Sequence, residues 1–163
     1  SEGKMKIRNL ECDQIVLNDP AFVNALDVTL KKIVNQSKLY DLRVENKLYF
    51  KLDEKITTDP GWYLIFSIAN RLYVGKSDDL NGRLNTHNRS LDNFANPKGP
   101  INNRRNFIKK LHDIYYFKEL KVLLIDELTL CTKMKLESPL SDLDRRNVEK
   151  FIAVTGIGCG KHG

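Results

Sequence analysis

Gly61-Trp62-Tyr63-Leu64-Ile65-Phe66-Ser67-Ile68, then Ala69-Asn70-Arg71, then Leu72-Tyr73-Val74-Gly75-Lys76, is the stretch that decides the fold. Tyr63 to Ile68 is rich in β-branched and aromatic residues, the middle three residues suit a turn, and Leu72 to Val74 reads as the returning strand. Gly75 is expected to end that strand where a side chain would crowd whatever approaches the backbone. Tyr63 and Tyr73 fall in neighbouring strands, so cross-strand pairing can bring their hydroxyls to one place. Packing with a wet tip is the plainer use of such a pair.

Downstream, Ser77 or Asp78 can cap a helix whose buried face carries Leu80, Leu84 and Leu91. Arg83 and His87, four residues apart, project from one side of it, at the edge of that apolar stripe. A cation and an imidazole there are costly to desolvate without an anion nearby. One source of that anion is Asp79; another is a bound phosphate. Asn96-Pro97-Lys98-Gly99-Pro100 is a loop, and a basic helix follows with Arg104, Arg105, Lys109 and Lys110 outward. Leu120 to Asp126 reads as a third strand, with Val122 and Leu124 on one face and Leu123 and Ile125 on the other. Residues 127 to 137 show no clear period.

Ser138 or Ser141 can cap a last helix running to about Thr155, with Pro139 in its first turn. Leu143, Val148, Phe151, Ile152 and Val154 make it apolar almost all round, which predicts burial. Glu149 in its middle is the exception. A buried carboxylate needs a cation, so either a divalent metal or Arg145, one turn earlier, answers for it.

Upstream, Asp19 can cap and Pro20 can open a helix over residues 20–36, with Phe22, Leu26, Ile33 and Val34 as its apolar stripe. Residues 40–52 alternate about Glu45-Asn46-Lys47 and read as a hairpin or a second helix. Thr57-Thr58-Asp59-Pro60 marks a boundary. Three units are expected: an N-terminal extension over 1–59, a principal domain over 60–155, and a flexible glycine-rich tail over 156–163.

The 163 residues suit one well-buried domain. Net charge is +6, and the basic excess gathers in Arg83, Arg89, Lys98, Arg104, Arg105, Lys109 and Lys110, which favours a polyanionic partner. No apolar run reaches the roughly 20 residues of a membrane span, so no membrane partner is expected. Cys12, Cys131 and Cys159 are odd in number and far apart, with no disulfide framework or paired zinc pattern, so a reducing cytoplasmic interior is expected.

The combination of Gly61-Trp62-Tyr63, Tyr73-Val74-Gly75, Arg83 eight positions on, His87 four later, and Glu149 on a late helix resembles the GIY-YIG nuclease superfamily. The run Tyr73-Val74-Gly75-Lys76-Ser77 through Leu80 to Arg83-Leu84 is similar to the form in the bacterial excision-repair incision subunit and in phage and restriction members. The resemblance covers about residues 60–155. It implies an α+β fold with a small three-stranded, mostly antiparallel sheet flanked by helices. It implies a divalent-metal-dependent endonuclease acting on DNA, or alternatively a binding module that retains the fold without turnover.

By the same resemblance Tyr63 is the general base or orients the attacking water, its phenol acidified by nearby cations, and Tyr73 supports it. Arg83 neutralises charge on the phosphoryl oxygens with help from Lys76 and His87. Glu149 holds one Mg2+ or Mn2+, and no small-molecule cofactor is implied. Arg89, Lys98, Arg104, Arg105, Lys109 and Lys110 are expected to grip backbone phosphates. Residues 1–59 are left to contact DNA, to form a homodimer, or to brace the sheet. The nucleoid or a phage-infected cell is the expected setting if the source is prokaryotic. Trp62 stands where the family usually has isoleucine or valine; that position packs, so a larger core neighbour and no loss of activity are expected. The asparagine that many members carry after the metal helix is missing, so either Asn102 or Asn103 is expected to substitute or the sequence is a fragment that stops early.

Overall fold

A computed structural model describes residues 13–44, 48–50, 59–66, 72–95 and 121–158. Lys98, Arg104, Arg105, Lys109 and Lys110, together with Asn102 and Asn103, lie outside them. In chain order the elements are α1 (Pro20–Gln36), β1 (Leu39–Val44), β2 (Leu48–Phe50), β3 (Gly61–Phe66), β4 (Leu72–Ser77), α2 (Leu80–Ala95), β5 (Lys121–Asp126), α3 (Glu127–Met134) and α4 (Asp142–Thr155).

The sheet order is β2-β1-β5-β3-β4, and every neighbouring pair is antiparallel. The three expected strands form its β5-β3-β4 half. Within residues 40–52, the described Leu39–Val44 and Leu48–Phe50 form an antiparallel pair of strands and not a helix. That pair joins the same sheet, Tyr40 pairing with Val122 of β5, which extends the expected three strands to five.

Register assigns the faces, because side chains alternate along a strand and opposed residues share a side. Trp62 lies opposite Lys76 and Ile125, and Leu64 opposite Val74 and Leu123. This face carries the main core. Trp62, Leu64, Phe66, Leu123 and Ile125 pack with Leu26, Leu30, Ile33 and Val34 of α1, Leu130 and Cys131 of α3, and Val148 and Ile152 of α4. Each large side chain so buried contributes about 1.5–3 kcal/mol. Helix α1 is therefore one layer of this core. The residues just before it are also tied to α4, since the buried Asp144 carboxylate accepts the backbone N–H groups of Gln14 and Ile15.

Tyr63, opposite Gly75 and Leu124, points to the other face, which α2 covers with the fully buried Leu80 and Leu84. Gly61 permits this close fit. A Cβ there would come within 2.7 Å of Leu80 Cδ1 and nearer still to the Ile125 carbonyl oxygen.

Several local expectations change. Residues 127–134 form α3, capped by Asp126, whose carboxylate accepts the Thr129 N–H at 3.0 Å. Two threonines and a buried Glu127 blur its apolar period. Helix α4 is capped by Ser141 alone and is not buried all round, since the apolar Leu143 and Val154 are exposed. It packs on one side only, which leaves Glu149 half-buried. Strand β4 runs through Gly75 to Ser77, and Asp79, not Ser77 or Asp78, accepts the Gly82 N–H that opens α2. Nor does the glycine-rich end start loose. Gly156 closes α4 in the left-handed conformation, and Ile157 is buried in the core.

Candidate active site at the β4 edge

Strand β4 is one of the two outer strands of the described sheet, and the site forms where its two faces meet that edge. On the α2 face, the Tyr63 ring lies across Gly75. A Cβ on Gly75 would fall 2.5 Å from Tyr63 Cε1 and closer still to Cζ and the hydroxyl oxygen. This is the close approach that the glycine in Tyr73-Val74-Gly75 serves, inside the strand and not at its end. Tyr73, two residues earlier on the same face, stacks on Tyr63 with ring centroids 6.2 Å apart and planes 28° from parallel. The two hydroxyls are hydrogen-bonded to each other.

Tyr63 is buried and Tyr73 half-buried. Burial pushes the Tyr63 phenol far above its ordinary value, the neighbouring Tyr73 adds to this, and Arg83 only partly opposes it. Burial also raises Tyr73, while its hydrogen bond with Tyr63 pulls the other way. Among the described residues burial therefore raises the phenol, where acidification was expected, because desolvation outweighs Arg83.

Arg83 is exposed on the first turn of α2, close enough to act electrostatically on both phenols. Its position is fixed by the β4–α2 junction. There the Ser77 hydroxyl donates to the Asp79 carbonyl at 2.7 Å, and the Leu80 N–H reaches the Asp59 carbonyl at 3.1 Å. The Asp79 carboxylate, the expected partner of Arg83, is occupied in capping. His87 lies one turn further along α2, its side chain outside the described residues. Arg89 is exposed beyond it and donates to Thr86 Oγ1.

Glu149 arrives from the opposite face. Its charge also acts on Tyr63 and Tyr73, and its carboxylate accepts the backbone N–H of Lys76 on the edge strand. Burial raises its pKa, with Lys76 and Arg146 opposing. Arg145 is not its partner. That guanidinium turns inward to the buried Glu127, with Nε 2.5 Å from Oε1 and Nη2 3.3 Å from Oε2. Glu127 also accepts the Leu140 N–H. Trp62 donates its indole N–H to the Arg145 carbonyl at 2.9 Å, so the unusual residue of the first motif pins the helix that bears Glu149.

Lys76 projects on the α4 face and pairs with Asp142 at 2.9 Å, while Arg146 pairs with the other oxygen of the same carboxylate at 2.7 Å. Hydrogen bonds from Lys76 and Arg146 pull Asp142 down to about 2. Sequence reasoning did not single out Asp142, Arg146 or Glu127. The one available signal was Trp62, whose buried indole N–H needs an acceptor.

Tyr63, Tyr73, Arg83, Lys76 and Glu149 thus share one neighbourhood. Residues 59–122 match the model of the GIY-YIG catalytic domain. Over this segment the chain is similar to that family. No curated protein and no solved structure matches the chain. The GIY-YIG match covers every site position up to the basic segment but stops before Glu149, which only folding brings to the phenols. Cys131 is no candidate nucleophile, because burial first, and then the Glu127 charge, pushes its thiol up to about 12. Among the described residues no three His, Cys, Asp or Glu side chains form a group able to hold a metal ion, and no helix is long and apolar enough to cross a membrane.

Proposed function

We propose that this chain hydrolyses phosphodiester bonds in DNA as a divalent-metal-dependent endonuclease. The observation that carries the reading is the convergence of Glu149 with Tyr63, Tyr73 and Arg83 from opposite faces of the sheet. Phosphodiester hydrolysis builds negative charge on non-bridging and leaving oxygens, so a fixed guanidinium beside an oriented hydroxyl suits it.

Tyr63 enters as a neutral phenol. Its hydroxyl, set by Tyr73 and by the ring's seat on Gly75, orients the attacking water by hydrogen bonding. Arg83, exposed beside the phenols, takes the developing charge on the phosphoryl oxygens, and Lys76 adds a second cation on the neighbouring strand position. Glu149 fits one Mg2+ or Mn2+. It is a lone hard oxygen donor whose charge is disfavoured by burial, and Mg2+ commonly binds one or two carboxylates while keeping water and phosphate oxygens. When bound, the ion supplies Lewis-acid stabilisation of the leaving oxygen.

A binding module without turnover is the competing reading, favoured by the raised phenol of Tyr63. Supercoiled plasmid incubated with Mg2+, with Mn2+ or with chelator separates the two. Metal-dependent nicking supports hydrolysis. Tyr63→Phe, Arg83→Ala and Glu149→Ala should each then reduce it about 10²–10³-fold, the scale of losing one transition-state contact. No nicking on supercoiled, linear or branched DNA would favour the binder.

A further inference from the structure

Asp142 is the first residue of α4 and is exposed, yet its carboxylate is doubly engaged. One oxygen lies 2.9 Å from Lys76 Nζ and the other 2.7 Å from Arg146 Nη2. Lys76 comes from the edge strand and Arg146 from the helix, so two elements converge on one small anion. Both cations also act on Glu149, which places this cluster beside the candidate site. A carboxylate held between an ammonium and a guanidinium occupies the position that a phosphate oxyanion would take between the same two groups.

We propose that Lys76 and Arg146 form a subsite for a DNA backbone phosphate, and that Asp142 is an internal competitor which the phosphate must displace. The inference rests on the nuclease reading above, which supplies DNA as the ligand. An exposed carboxylate is readily displaced, because water and salt screen its hold on the cations. The consequence is a weaker and less salt-sensitive grip on DNA than the positive charge of this edge would otherwise give. Each phosphate that a cation engages releases counterions and steepens the salt dependence by nearly one unit in the logarithmic slope.

The test is fluorescence anisotropy of a labelled mixed-sequence duplex in chelator, which prevents cleavage, titrated with the full chain from 50 to 300 mM KCl. The variants are Asp142→Asn, Arg146→Gln, their combination, and Asp41→Asn as control. Asp41 pairs with Lys121 at 2.5 Å on the far half of the sheet, so its variant makes the same charge change and also releases a lysine.

Asp142→Asn should tighten binding about tenfold more than Asp41→Asn at low salt, and its salt slope should steepen by about one to two. Most of that gain should vanish when Arg146→Gln is added. Equal gains from the Asp142 and Asp41 variants, or a gain that survives Arg146→Gln unchanged, would overturn the subsite while leaving the nuclease reading intact. No binding by any variant, even at the lowest salt, would overturn both. Superimposable circular dichroism spectra for all variants establish that the comparison concerns folded protein.

Discussion

Gly75→Ala isolates the feature on which the geometry of both phenols rests. An alanine Cβ would sit 2.5 Å from Tyr63 Cε1 and closer to Cζ, against an ordinary contact of about 3.4–4 Å, so the ring must move by more than an ångström. Tyr63 is 2% exposed and stacked on Tyr73, so it has little room to move. Overpacking of this kind costs about 1–3 kcal/mol. Backbone entropy works in the opposite sense, since alanine at a compatible strand position stabilises by about 0.4–1 kcal/mol through the unfolded chain.

The same substitution should therefore change sign with its partner. It destabilises by about 2 kcal/mol with Tyr63 present and is neutral or stabilising once Tyr63→Ala has removed the ring. Urea unfolding of the four proteins of this cycle, with slopes held equal, reads the coupling from the shifts in midpoint. Tyr63→Phe in place of alanine should leave the clash intact, because the crowded ring carbons remain. Additive single and double variants would mean that the ring does not lie on Gly75, and the reasoning about the site would fail with it.

Four further outcomes follow from the same contacts. Glu149→Gln should lose metal-dependent cleavage by about 10²–10³-fold yet melt at a higher temperature at pH 7. Burial raises the folded-state pKa, so the ionised carboxylate is a net cost that sets in as pH rises through the ordinary 4.5 and the raised folded value, and the advantage should vanish in melts run below that range. Arg145→Met should destabilise by about 3–5 kcal/mol by stranding the buried Glu127, and adding Glu127→Leu should recover most of the loss. Trp62→Phe removes the indole donor to the Arg145 carbonyl, leaving that group to water, and should cost about 1 kcal/mol in urea midpoint plus some packing. If Tyr63 works as a neutral phenol, the alkaline side of the cleavage pH profile should be flat up to about pH 9. A steady tenfold rise per unit would indicate a phenolate base.

What the sequence made legible, and what it hid, divides along the range of the forces involved. The β3–β4 pair and the α1 bounds were readable because a β-branched and aromatic run broken by a turn and an Asp-Pro start are local signals. The positions of Tyr63, Tyr73 and Arg83 follow from the same local geometry. Helix α3 was hidden because its apolar residues share the buried face with Glu127, whose burial makes sense only once Arg145 reaches it from α4. The same ion pair removed the rival partner of Glu149, which no spacing argument could do. Arg145 lies one turn from Glu149 in sequence, but helix packing turns it to the core. The register of β1 on β5 is equally non-local, and it turned an extension into part of the sheet.

The expectation of an acidified phenol failed for a related reason. Counting nearby cations treats the site as though it were in water, where Arg83 and Lys76 would both lower a phenol. Folding instead buries Tyr63 against Gly75 and Tyr73, and places Lys76 on the opposite face of β4, where Asp142 holds it. Among the described residues only Arg83 remains to act on the phenol directly, and it is exposed to solvent that weakens it. Under the proposed hydrolysis, activation of Tyr63 would need charge beyond that of Arg83. On that view the resting state is built to keep the phenol neutral, and the Lys76–Asp142 pair holds the second cation away from phosphate until DNA competes for it.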